Sequence, residues 1–332
     1  MKRVKALYGF SADLAPFAGK SCREQAQLLA SWGCTAIFGG YRDPGFVSEV
    51  HSVGMKIYAE FGCFVGADWW RDVPASHPIT SDGQPLAAAD LYHGVTPAIP
   101  EVRDALLVRL ADFLAAHEVD GVWLDYIRWP CRWESPAPEL PSTSFDPITL
   151  ARFVEDTGIE LPGGDVTARA RFVLGDCGEI WTRWRCDQIT SWVANARQIL
   201  DRTRPGATLG LFGVPWRLTD FDGAILGIVG QDYPALGETV DVFSPMVYHA
   251  YCGRPVEWIG EVTAEVCQIS GKSVWPIIQS VDEPRIVSPK EYGRALDVAL
   301  CCPESSGALV FTLAGALDPG KLAVTRQRFA RP

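Results

Sequence analysis

The residues with the most chemical potential are acids placed where strand-like segments end. Asp125 closes Asp120-Gly121-Val122-Trp123-Leu124-Asp125, an apolar run that terminates in a carboxylate. A buried carboxylate is costly without a partner, and Arg128 follows three residues on. Glu60 ends Tyr58-Ala59-Glu60-Phe61 in the same manner, and Asp232 lies in Gly230-Gln231-Asp232-Tyr233. Two carboxylates across a sugar can break a glycosidic bond. One, held protonated, gives its proton to the leaving oxygen; the other, ionised, acts as nucleophile, base or stabiliser of an oxocarbenium-like transition state. Each acid also has a plainer reading. Asp125 with Arg128 would tie down a loop, and Glu60 would be a paired core acid or hold a substrate hydroxyl. Asp232 would cap a short helix, a position Asp suits well.

Around these acids stand residues expected to position a substrate. Tyr126, Arg128, Tyr248, His249, Gln279 and Asp282 fall at or just after strand ends. The plainer readings are a hydrogen-bonding histidine for His249 and a loop acid for Asp282. Trp69, Trp70, Trp129, Trp133, Trp216 and Tyr251 lie on segments with no helical period. Aromatic faces suit sugar rings, so part of this set is expected to stack on substrate and the rest to be core. Other chemistries lack their residues. His51, His77, His93, His117 and His249 form no metal-binding pair, and no Cys-x-x-Cys or Gly-x-Ser-x-Gly motif occurs. No metal and no organic cofactor is expected.

Strand-like apolar runs alternate with helical patterns, which points to a parallel sheet. Strands are expected at Val4 to Phe10, Thr35 to Phe38, Lys56 to Phe61, Gly121 to Tyr126, Thr208 to Gly213, Val240 to Tyr248, Val274 to Gln279 and Ala308 to Thr312. Helices are expected at Cys22 to Trp32, Phe46 to Val53, Pro100 to His117, Pro147 to Thr157, Ala168 to Arg202, Pro255 to Ser270, Pro289 to Cys301 and Pro319 to Arg328, with a short one near Asp232 to Gly237. In Pro100 to His117, Leu106, Leu107, Leu110, Phe113 and Leu114 share one helical face. The fold expected is α/β, a (β/α)8 TIM barrel with long loops after strands 3, 4 and 5, as a single catalytic domain over residues 1–332. The alternative, an open doubly wound sheet, lacks a Gly-x-Gly-x-x-Gly turn. In such a barrel the active site is built at the carboxyl ends of the strands, where Glu60 and Asp125 fall.

Bulk properties narrow the partners. The chain has 332 residues, 48% of them apolar, and a formal net charge of −10. That charge argues against nucleic acid and anionic membrane, which need clustered Lys and Arg, and leaves a neutral carbohydrate open. No apolar run approaches the roughly 20 residues of a membrane span. Met1-Lys2-Arg3-Val4-Lys5 leads directly into a strand, without the apolar region and cleavage site of a signal peptide, so a cytoplasmic location is expected. The ten cysteines are then expected to be reduced.

Three segments carry a family resemblance. Asp125-Tyr126-Ile127-Arg128-Trp129-Pro130 resembles an Asp-Tyr-Ile-Arg-(Tyr/Phe)-Pro signature. Gln231-Asp232 followed by Val240-Asp241-Val242-Phe243-Ser244-Pro245-Met246-Val247-Tyr248 resembles a "VDYISPMVYP" pattern, and Val274-Trp275-Pro276-Ile277-Ile278-Gln279 is similar to an "RPWLQ" seventh strand. These belong to bacterial glycoside-hydrolase-like barrel families, described as domains of unknown function related to α-amylase-type barrels. His249 stands where those families have Pro. The resemblance implies a barrel acting on an oligo- or polysaccharide, with Asp125 as nucleophile by analogy. The function expected is a glycoside hydrolase cleaving O-glycosidic bonds by a carboxylate pair, Asp125 with Glu60 or Asp232. The rivals are a non-catalytic carbohydrate-binding barrel and a non-glycosidic barrel enzyme, a lyase or isomerase.

Overall fold

The computed structural model describes residues 3–88 and 92–331. Its apolar runs form nine strands: β1 (Val4–Phe10), β2 (Ala36–Gly39), β3 (Lys56–Gly62), β4 (Gly121–Asp125), β5 (Thr208–Gly213), β6 (Val242–Pro245), β7 (Ser273–Val274), β8 (Ile277–Gln279) and β9 (Gly307–Phe311). All pair in parallel, in the order β7-β6-β5-β4-β3-β2-β1-β9-β8. The two ends of this order, β7 and β8, are separated in the chain by Trp275 and Pro276 alone. Pro276 has no N–H to give a ladder. Its carbonyl accepts from Leu309 N at 3.0 Å, while Trp275 N donates to Phe243 O at 2.9 Å. The sheet therefore curls back toward itself, and alternating helices cover it as in a TIM-like barrel.

The helices start where side chains satisfy the free N–H groups of the first turn. Ser21 and Glu24 form a reciprocal capping box on α1 (Cys22–Ser31). Asp43 caps α2 (Pro44–Ser52), Asp146 caps α5 (Pro147–Thr157) and Ser288 caps α10 (Pro289–Cys301), each with Pro next in line. Pro100 likewise opens α4 (Pro100–Ala116).

Several boundaries differ from the pattern. The helix expected over 168–202 is two, α6 (Val166–Gly175) and α7 (Gly178–Thr203). Gly175 and Gly178 bracket the break, and glycine is the residue a helix interior holds least well. The sixth strand stops at Pro245 rather than Tyr248, since Met246 N turns to Gly213 O at 3.0 Å and the chain leaves the ladder. Short helices α3 (Ala67–Asp72), α8 (Tyr233–Leu236) and α11 (Leu313–Ala316) are single turns on the connections, too short for a period to show. The remaining helices are α9 (Trp258–Ser270) and α12 (Pro319–Phe329). All ten cysteines are free thiols. Among the described residues, no helix is long and apolar enough to cross a membrane.

An aromatic layer plugs the middle of the barrel. Trp123 lies 4.7 Å from Tyr58, 5.0 Å from Phe38 and 5.1 Å from Trp275, measured between ring centroids. Its Nε1 donates to Ser244 Oγ at 3.0 Å, which satisfies the one polar atom of a fully buried indole. Gly210 on the neighbouring strand makes the room: a Cβ there would stand 2.0–2.1 Å from the indole ring carbons. This layer is the floor on which the site rests.

Candidate active site

Strand register brings two acids together. Asp125 is the last residue of β4 and pairs with Gly62 on β3. Glu60 lies two residues before Gly62. Side chains alternate with a period of two, so Glu60 and Asp125 project from the same face, the face that carries Trp123. Both line a cavity of about 430 Å³ above the aromatic floor. Tyr8 from β1, Phe311 from β9, and Met246 and Tyr248 beyond β6 line it too. Trp133, Glu134 and Tyr251 reach it from the loops.

The pair is electrostatically tense. Burial raises the Asp125 carboxyl to about 7, and the nearby Glu60 charge pushes the same way; Arg128 and the Tyr126 N–H oppose them. Burial also raises Glu60, while its hydrogen bond with Tyr8 lowers it. The Tyr8 hydroxyl donates to Glu60 Oε2, and burial, then the Glu60 charge, raises Tyr8 itself, so it stays a donor. Asp125 Oδ1 accepts from Tyr126 N at 2.7 Å. That bond is made with Tyr126 in the left-handed region, φ 50°, a conformation a tyrosine adopts at a cost of about 1–3 kcal/mol. Two like charges facing one cavity cannot both be fully ionised cheaply. Burial and mutual repulsion thus raise both carboxyls and favour a proton shared between them.

The cavity walls are aromatic. Tyr248 stacks on Phe311 at 5.0 Å and lies 5.6 Å from Trp133, and Tyr8 lies 5.3 Å from Phe311. Arg128 is only 3% exposed. Its guanidinium sits 4.9 Å from the Tyr126 ring centre and 5.5 Å from that of Tyr92.

Other residues singled out in the sequence lie elsewhere, for identifiable reasons. Asp232 is the N-cap of α8, accepting from Ala235 N at 3.3 Å and from Arg183 Nη1 at 2.9 Å. It borders a different cavity, between α7 and the 225–229 turn, and does not meet Asp125. Trp129 is fully buried, its Nε1 on Arg185 O at 3.1 Å and the Arg185 guanidinium 4.5 Å from its ring centre. Trp216 is buried 5.0 Å from Phe221, and Trp69 is buried with Arg109 over its ring. None of the three offers a face to the cavity; the loops they occupy fold back and use them as core. Trp70 stacks on His77 at 3.7 Å and bonds Gly94 O. His249 is buried and paired with Glu291 at 2.9 Å, and burial lowers its pKa. Asp282 accepts from Lys321 Nζ at 2.7 Å and Val287 N at 2.8 Å, ties that hold a loop. Gln279 accepts from Tyr251 N at 3.3 Å and donates to Val281 O at 3.0 Å, so it supports Tyr251 from behind.

Sequence reasoning misses Tyr8, Glu134, Met246 and Phe311 in the wall of the carboxylate cavity, and Tyr92 beside the Arg128 guanidinium. Tyr8 is mid-strand, and only the alternation of β1 marks it as inward. Glu134 and Tyr92 sit on irregular loops with no period. A further cavity, of about 440 Å³, lies at the opposite end of the barrel around His51, Lys56 and Asp120. There both basic groups are spent on one carboxylate, at 2.8 and 2.6 Å. Among the described residues, no three His, Cys, Asp or Glu side chains gather as metal ligands.

The fold and cavity define a TIM-like barrel with two carboxylates in an aromatic-walled cavity at the carboxyl ends of its strands. No family model matches the chain, and no curated protein sequence does. Solved structures do. The PgaB (BpsB) glycoside hydrolase domain from Bordetella bronchiseptica is similar with a TM-score of 0.69 at 14% identity, covering 98% of both chains. The β-galactosidase from the psychrophilic Marinomonas ef1 gives 0.67 at 13% identity, over 99% of this chain and 59% of that one. The α-L-fucosidase isoenzyme 2 from Paenibacillus thiaminolyticus gives 0.61 at 11% identity, over 99% and 49%. The chain thus spans about half to three fifths of the two longer enzymes. Their different activities on one architecture show that the likeness speaks for the fold.

Proposed function

We propose that this protein is a glycoside hydrolase that cleaves O-glycosidic bonds of an oligo- or polysaccharide with the Glu60–Asp125 pair. Counting 273–279 as one interrupted strand, its scaffold is read as eight β/α units in a single catalytic domain. The observation that carries the reading is the two carboxylates on one inward face, in one aromatic-walled cavity, with raised proton affinities. Hydrolysis needs an acid that is still protonated near neutral pH beside a carboxylate that is not.

The electrostatics favour a division of labour that departs from the analogy with amylase-type barrels. Asp125 holds the proton and gives it to the glycosidic oxygen as the bond to the anomeric carbon breaks. Glu60, kept ionised by the Tyr8 hydroxyl, faces the developing positive charge, as nucleophile or as base for water. As nucleophile, Glu60 bonds the anomeric carbon as the leaving oxygen departs, and water deprotonated by Asp125 then displaces it; as base, Glu60 takes the proton of the water whose oxygen bonds the anomeric carbon, and solvent returns that proton to Asp125. Tyr126, Arg128 and Tyr248 line the substrate's place, with Tyr251 as a stacking face and the buried Trp133 packed against Tyr248. No metal or organic cofactor enters this chemistry.

The test is a panel of chromogenic glycosides and polysaccharides, with Asp125→Asn and Glu60→Gln as controls. Turnover by the wild type and its loss in both variants, roughly 10³-fold or more, is expected from removing a member of a catalytic pair. Carbohydrate binding without turnover in the wild type would refute hydrolysis. The anomeric configuration of the first product, read by NMR, separates nucleophile from base for Glu60.

A further inference from the structure

The carboxylate cavity does not stand alone. A second cavity, of about 650 Å³, adjoins it, and Tyr126, Arg128, Glu134 and Tyr251 line both. Each by itself falls within the about 300–1,000 Å³ of small-ligand clefts. Only the first holds Glu60 and Asp125. The second is walled instead by Tyr92, Arg132 and Glu139, with Ala137 at its edge.

The shared wall is built to stay in place. Tyr126 is fixed by its left-handed backbone and its N–H bond to Asp125. Arg128 is buried beside both the Tyr92 and Tyr126 rings, which themselves stack at 5.8 Å and 25°. Tyr251 is tethered at both ends, its hydroxyl to Glu283 at 2.9 Å and its N–H to Gln279. Charges in the second cavity are balanced: Arg132 pairs with Glu139 at 3.1 Å, and the Arg128 and Glu134 charges, both on the shared wall, lie close enough to attract. Balanced ionic groups interleaved with tyrosine rings suit a neutral, hydroxyl-rich ring, which takes hydrogen bonds from the ions and stacks on the aromatics.

We propose that this second cavity is a distinct saccharide subsite for a neutral sugar unit of the same chain whose bond lies over Glu60 and Asp125. The inference rests on the hydrolase reading and specifies its substrate. The natural substrate is a chain of several sugars, bound across Tyr126, rather than a small glycoside.

Binding to the Asp125→Asn variant tests this without turnover. Calorimetric titration uses cellopentaose, chitopentaose, maltopentaose and β-1,4-galactopentaose, each beside its monosaccharide. The expected result is that one pentasaccharide binds at least 10-fold tighter than its monosaccharide. Adding Ala137→Trp, which fills the second cavity from its edge, should remove that advantage and leave monosaccharide affinity as it was. Should that variant fail to fold, Arg132→Ala is read instead, with a 10-fold or greater loss for the pentasaccharide alone. No pentasaccharide advantage in any series, or an advantage that survives both substitutions, overturns the subsite. The two readings fail separately. Pentasaccharide binding that Ala137→Trp blocks, in a protein that hydrolyses nothing, sinks the hydrolase and keeps the subsite. Hydrolysis of pentasaccharides unaffected by Ala137→Trp does the reverse.

Discussion

Replacing Asp125 by Asn should make the protein more stable as it makes it inactive, and only above a definite pH. The Asp125 carboxyl moves from its ordinary 3.8 to about 7 on folding. An acid whose pKa is raised in the folded state favours folding while it is protonated. That advantage is complete below the unfolded value and is lost as pH rises through the folded one. Between about pH 4 and 7 the wild type therefore loses stability relative to a variant with nothing to ionise there. At 1.36 kcal/mol for each tenfold change in proton affinity, the interval from 3.8 to about 7 is worth about 4 kcal/mol. That interval already sets the favourable Tyr126 N–H bond against burial, so a gain of about 4 kcal/mol remains at pH 8. With 332 residues and an unfolding entropy of about 2.1 cal/mol/K per residue, this is about 6 °C in Tm. Scanning calorimetry of both proteins at pH 4 and pH 8 decides the matter. A Tm gap that opens between those values supports the reasoning. Equal melting at both, or a variant less stable at pH 8, would show that Asp125 is comfortably solvated or fully paired, and the acid role assigned to it would fall.

Four other outcomes follow from the same geometry. The kcat/KM profile should be bell-shaped, its alkaline limb near pH 7 as Asp125 loses its proton and its acid limb above the ordinary glutamate range as Glu60 gains one; activity undiminished at pH 9 would contradict it. Tyr8→Phe removes the donor to Glu60, a bond to a charged group worth about 1.5–3 kcal/mol, so kcat should fall about 10- to 100-fold and the acid limb should move up. Asp232→Ala loses a helix cap and the Arg183 pair, costing about 0.5–2 kcal/mol in denaturant unfolding with turnover preserved; loss of turnover in a folded variant would return Asp232 to the chemistry. Gly210→Ala drives a methyl into the Trp123 ring, and overpacking of about 1–3 kcal/mol or more should appear as a lowered Tm.

Much of the architecture is legible in the chain because it rests on local rules. β1 runs over the very residues its apolar pattern marks, and Asp43, Asp146 and Ser288 announce the helices they cap. Glu60 and Asp125 are legible for a related reason: each is an acid at the end of an apolar run, and parallel pairing of neighbouring strands carries both to one end of the barrel. The loop aromatics are not legible. Trp129, Trp133 and Trp216 look alike in sequence and all three are buried, yet only Trp133 borders the carboxylate cavity. What separates them is long-range: Trp129 is claimed by Arg185 on α7, Trp216 by Phe221. Glu134 and Tyr8 are hidden by the converse, since nothing near them in sequence marks a wall that only tertiary packing creates.

The floor and the acids are one device. Trp123 and Asp125 are alternate residues of the same strand on the same face, so the indole packs in the layer below the carboxylate. A smaller floor would admit water under Asp125 and let it ionise as an ordinary aspartate. On the proposed reading Gly210 bears on the Asp125 proton at one remove: its missing side chain admits the indole, and a fully buried indole beneath Asp125 adds to the burial that raises its carboxyl. The strained Tyr126 works against that proton, because its N–H favours the ionised carboxylate. Burial wins, since the shift that results is upward. What Tyr126 contributes instead is direction. By committing Oδ1 to the backbone, it leaves Oδ2 as the oxygen that the proposed chemistry would use.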